Sequence, residues 1–197
     1  MINDNADYIT RHFAEHMEAV AQSAGAVTPA LSQAAELLVE TLLGDGRILA
    51  CGNGTANTLA QYFCTCLLNR YEHDRPALPA INLGSDATTF AAICRDSRFN
   101  ETFSRQIRGL GKDGDILFVV SDDGNRANLI QAIQAAHERQ MLVIAVTAGE
   151  DRDLSALLSN RDTEICLPHL SPGMTSEVVL VVLNSLCGLV EKLLFGN

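Results

Sequence analysis

Uninterrupted apolar runs alternate along this chain with segments whose apolar residues recur every three to four positions. The runs at about 47–51, 80–83, 115–121, 141–146 and 164–167 read as strands. The runs at 115–121 and 141–146 carry almost no polar residue, the pattern of strands buried on both faces. Ile9, Phe13, Met17 and Val20 form a stripe that predicts a helix over about 4–22. A second helix is predicted over 30–43, closed by Gly44-Asp45-Gly46, and a third over about 57–71. Pro76 and Pro79 mark the loop that follows. Further helices are predicted near 87–95, 99–110, from the 122–125 loop to about 140, near 153–158, and from about 173 to 195. Strands alternating with helices indicate an α/β three-layer sandwich, a five-stranded parallel sheet covered by helices on both faces, with a helical N-terminal extension. No repeat or linker divides residues 1–197, so a single domain is expected.

Parallel sheets bind ligands beyond the carboxyl ends of their strands. Those ends are predicted at 52–56, 84–86, 121–125 and 147–149. The first is the most informative: Cys51-Gly52-Asn53-Gly54-Thr55-Ala56 runs from an apolar strand into a helix. Such a turn presents backbone N–H groups at the positive end of a helix, a ready anion site. The third glycine of a dinucleotide fingerprint is missing.

Net charge changes the picture of partners. At −10 the chain lacks the basic balance that direct nucleic-acid binding requires. Cys51, Cys64, Cys66, Cys94, Cys166 and Cys187 lie mostly in apolar segments without C-x-x-C spacing, as reduced core residues do. The first residues carry neither a basic region nor an apolar leader, and no apolar run reaches about 18 residues. These features predict a cytoplasmic protein without a membrane span. His12 and His16 stand four apart on a helix, and Cys166 and His169 flank a strand end. A surface or interface role for the first pair and a structural role for the second are expected. His73 and His137 read as surface residues.

Several segments carry a resemblance: Gly52-Asn53-Gly54, Arg75-Pro76-Ala77-Leu78-Pro79-Ala80, Phe103-Ser104-Arg105-Gln106, Gly111-Lys112-Asp113-Gly114-Asp115, Gly124-Asn125 and the last helix through Glu177 and Glu191. In order and spacing they resemble sugar isomerase (SIS) domains. The subgroup they point to holds the phosphoheptose isomerases and the DnaA initiator-associating protein. The resemblance implies a homotetramer, with residues 1–45 used for oligomer packing. It also implies a ligand and phosphate set at Gly52, Asn53, Gly54, Thr55, Ser121, Asp122, Asp123, Gly124, Asn125 and Glu177.

Against the isomerase pattern the chain departs at telling places. The Gly-Asn-Gly-Gly-Ser loop is here Gly52-Asn53-Gly54-Thr55-Ala56, and Ser-Thr-Ser-Gly-Asn-Ser is Ser121-Asp122-Asp123-Gly124-Asn125-Arg126. A carboxylate 5 Å from a phosphate charge costs roughly 3 kcal/mol at an effective dielectric near 20. The family's zinc and acid–base positions are occupied by Tyr62, Cys66, Ser176 and Asn184. No catalytic residue, no metal and no cofactor are therefore expected, and sugar-phosphate binding is doubtful on these residues. The resemblance to the initiator-associating protein then implies a non-catalytic homotetrameric scaffold that binds the replication initiator DnaA, with Leu194 and Phe195 as its contact. Sedoheptulose-7-phosphate isomerase activity in ADP-heptose and lipopolysaccharide synthesis is the alternative, as is a sugar-phosphate-sensing paralogue.

Overall fold

Five fully parallel strands build the sheet: β1 (Ile48–Gly52), β2 (Ala80–Asn82), β3 (Ile116–Val120), β4 (Leu142–Ala148) and β5 (Thr163–Leu167). Their order is β2-β1-β3-β4-β5. The structure is a computed structural model that describes residues 2–96, 99–122, 126–149 and 152–196. Gly52 pairs with Val120, and Val120 with Val146, so β1 and β3 finish level and β4 runs two residues further along the same edge. That shared edge brings their following loops together.

Alternate strand residues point to opposite faces. Ile48, Ala50, Ile116, Phe118, Val120, Ile144 and Val146 pack under α1 (Ile2–Leu43), α2 (Thr55–Leu68) and α7 (Pro172–Phe195). Leu49, Cys51, Leu117, Val119, Val143 and Ala145 pack under α4 (Ser104–Leu110) and α5 (Ala127–Glu138). The short helices α3 (Ala87–Arg95) and α6 (Arg152–Ser155) and a 3-10 turn at Phe99–Glu101 complete the described elements.

The two predicted N-terminal helices are one, α1, which runs through Pro29. A proline inside a helix removes an amide bond and costs about 3 kcal/mol. Val27, Leu31 and Leu38 flank it and are buried, and each such burial contributes about 1.5–3 kcal/mol. Packing therefore outweighs the break. Side-chain hydroxyls of Ser23 and Thr28 also donate to the carbonyls of Ala19 and Ala24 in this stretch. The second half of α1 is thus buried within its own chain, whereas Tyr8, Ile9, Phe13 and Met17 remain exposed.

The last helix has a mean hydropathy of 2.1 over its most apolar window, enough by length and composition to cross a bilayer. It is the central helix of one layer, with Val178, Val179, Val182, Leu183, Leu186 and Val190 buried against α1 and α2. Near its end a buried ion pair fixes the segment between α2 and β2. The Glu191 carboxylate accepts from Arg75 Nε at 2.8 Å and from the backbone N–H groups of Tyr71, Glu72 and His73. Arg75 also donates to the carbonyls of Cys66 and Leu67 and so caps the end of α2. That cap stops the helix at Leu68, three residues before the predicted end. Burial pushes the Glu191 carboxyl up, but these hydrogen bonds outweigh it and hold the group below the usual glutamate range.

Candidate active site

A cavity of about 500 Å³ opens where β1, β3 and β4 end. Thr55, Asp122, His169, Ser171, Thr175 and Ser176 supply its polar lining. Thr55 is the first residue of α2, and Ser171 stands just before α7 with Pro172 as that helix's first residue. Two helix N-termini therefore converge on one space, and their N–H groups and dipoles favour an anion there.

The glycine loop is shaped by close approach. A Cβ on Gly52 would sit 2.8 Å from the carbonyl carbon of Ala56 and 2.9 Å from Asn57 N, so no other residue fits. Asn53, expected to hold ligand, instead forms a reciprocal amide pair with buried Asn128 on α5, at 2.9 and 2.8 Å. It anchors the loop across the sheet edge. Ser121 is buried and its hydroxyl donates to the Asp122 carbonyl. Asp122 is half-buried and lines the cavity. Asp123, Gly124 and Asn125 lie outside the described residues.

His169 is the cavity-lining imidazole. Its ring fits against Gly149 (φ +66°), where an added Cβ would lie 3.3 Å from Nδ1. Cys166, exposed at the end of β5, donates to the Gly149 carbonyl at 3.4 Å. Glu177 is bonded to Nδ1 of His16 on α1. His16 in turn meets the His12 ring at a tilt of 55°, with centroids 4.0 Å apart. This acid–imidazole pair ties α1 to the second turn of α7 beside Ser176. Sequence spacing alone does not reveal it, because 161 positions separate the partners.

Tyr62, Cys66 and Asn184 come together on the facing sides of α2 and α7. The Tyr62 hydroxyl donates to Asn184 Oδ1 at 2.7 Å. Burial first, then a hydrogen bond with Cys66, pushes the phenol up to about 12. Ser176 Oγ donates to the Pro172 carbonyl one turn back. Zinc is bound by histidine, thiolate or carboxylate at tetrahedral spacing. A phenol, an amide and two hydrogen-bonded γ-groups do not make that set, so the residues present do not fit the metal. Among the described residues no group of three or more His, Cys, Asp or Glu is placed to hold a metal.

The model of the SIS domain matches residues 11–148. The chain belongs to the SIS-domain family. It is 42% identical over 189 residues to a phosphoheptose isomerase of Chromohalobacter salexigens, with 96% of each chain covered. It is also 42% identical over 183 residues to that of a Shewanella species, with 93% of each covered. Among solved structures, a phosphoheptose isomerase from Francisella tularensis superposes with a TM-score of 0.90 at 34% identity, over 95% of this chain and 98% of that one. The corresponding protein of Neisseria gonorrhoeae gives 0.88 at 34% identity, with the same shares of each chain covered.

These relatives overturn the expectation of a non-catalytic scaffold for DnaA: the near-full-length matches are to enzymes named for an isomerisation. That expectation rested on the altered positions Tyr62, Cys66, Ser176 and Asn184 and named Leu194 and Phe195 as the partner contact. Leu194 packs against the α1–α2–α7 core, as the end of an apolar helix does, and Phe195 is half-exposed beside it.

Proposed function

We propose that this SIS-domain protein is a cytoplasmic phosphoheptose isomerase that works as a homo-oligomer. The observation that carries the reading is identity of 40–42% across almost the whole chain to phosphoheptose isomerases. The site geometry supports it. The amino ends of α2 and α7 hold the phosphate, with the Thr55, Thr175 and Ser176 hydroxyls beside it. Asp122 stands off from the anion and accepts sugar hydroxyls.

Isomerisation moves a carbon-bound proton between neighbouring carbons while the carbonyl changes place. A base must take that proton and an acid must return it. His169, in the cavity wall, is assigned to this exchange, and the His16–Glu177 pair holds the α7 turn that orients the sugar.

A second reading, a receptor that binds the phosphorylated sugar without converting it, is favoured by one observation. Tyr62 and Asn184 fill the family's acid–base positions and bond each other. Calorimetric titration of the full chain with sedoheptulose 7-phosphate, followed by an assay for the aldose product, separates the two. Binding with turnover supports the enzyme, binding without it supports the receptor, and the absence of both rejects the shared site.

A further inference from the structure

We infer that the place where zinc-dependent relatives hold their metal is here a metal-free protein cross-link, in which the Tyr62–Asn184 hydrogen bond joins α2 to α7. The inference rests on the family reading of the site, and it concerns how the site is held rather than what it turns over.

All four residues point the same way. The Tyr62 proton is engaged: its hydroxyl donates at 2.7 Å to an amide oxygen, whereas metal ligation needs the phenolate. Asn184 spends its oxygen on the same bond. Cys66 alone of the four residues is a soft donor, and its surroundings are already committed. Its own backbone carbonyl takes Arg75 Nη2 at 2.6 Å, and its thiol lies against Cys187 and Tyr62. Ser176, turned back onto Pro172, contributes no anionic donor. The pocket thus contains donors for hydrogen bonds between two helices and lacks the charge that a divalent ion requires.

A bond of this kind performs the mechanical part of a metal's work. It fixes the crossing of α2 and α7, whose amino ends form the cavity, without making that geometry depend on metal supply. Chelators should then leave the fold and the cavity unchanged.

The test measures metal directly, independent of any activity. Full-length protein purified from zinc-supplemented cells is analysed for zinc by plasma mass spectrometry. Its melting is then followed with and without EDTA. The expected result is substoichiometric zinc and identical melting curves. About one equivalent of tightly held zinc per chain, or a melting temperature lowered by chelator, overturns the inference. In parallel, Tyr62→His/Cys66→Glu/Ser176→Gln/Asn184→His should acquire zinc. A folded variant of this kind that takes up none would also overturn the claim that these four residues exclude the metal. Tyr62→Phe supplies the third arm. It should lower the melting temperature, whereas an unchanged value would show that the bond does not join the helices. All three readouts stand even if sedoheptulose 7-phosphate proves not to be the ligand.

Discussion

Replacing Glu191 by alanine strikes a heavily used buried carboxylate. Its two oxygens accept four donors, the N–H groups of Tyr71, Glu72 and His73 and Arg75 Nε. Both side chains of the ion pair are nearly sealed from solvent, at 2% and 3% exposure. Truncation leaves Arg75 charged and buried, with only carbonyls around it, and orphans three backbone donors. Breaking a buried pair from one side costs about 3–5 kcal/mol. A domain's whole stability is about 5–15 kcal/mol, so the variant should be marginal, melting roughly 10 °C or more below wild type. Glu191→Gln keeps the shape and part of the bonding and should lose roughly half as much. The sign with pH follows from the depressed carboxyl. Its stabilisation is complete above the usual glutamate range and is lost as pH falls through the folded-state value. Wild type should therefore weaken on acidification through that window more than Glu191→Gln does. Urea unfolding of the three proteins across this range is the assay. A loss below about 1 kcal/mol for Glu191→Ala, or parallel pH profiles for wild type and Glu191→Gln, would refute the clamp.

Two further outcomes are expected. Gly52→Ala pushes a methyl against the Ala56 carbonyl and the Asn57 amide. It should cost about 1–3 kcal/mol and weaken phosphosugar binding at least about tenfold, read by thermal melting and calorimetry. With a thiol reagent at about pH 8, exposed Cys166 should react first. Cys51, Cys64 and Cys187 should stay protected until the chain unfolds, since burial raises all three and carries Cys64 to about 12.

Much of the architecture was readable because buried parallel strands write themselves as continuous apolar runs. Ile116–Val120 and Leu142–Ala148 are the clearest cases. The break predicted between 22 and 30 failed because each apolar stripe was read on its own, whereas Val27, Leu31 and Leu38 hold the helix together through tertiary burial. The glycine turn and the altered positions at Tyr62, Cys66, Ser176 and Asn184 were also visible in the sequence. What they do there was not. Tyr62 meets Asn184 across 122 positions and Asn53 meets Asn128 across 75, and no local pattern encodes such pairings. The lining His169 and the His16–Glu177 tie were missed for the same reason. The functional expectation went astray by weighing four substituted side chains above the likeness of the chain as a whole.

The central claim is that the cleft between the amino ends of α2 and α7 takes a phosphorylated heptose and converts it. Proton magnetic resonance of sedoheptulose 7-phosphate incubated in D₂O with the full chain tests it most directly. The account predicts broadening of the sugar signals and growth of an aldose carrying solvent deuterium. Unbroadened ketose signals, with no aldose formed at high protein concentration, would contradict it.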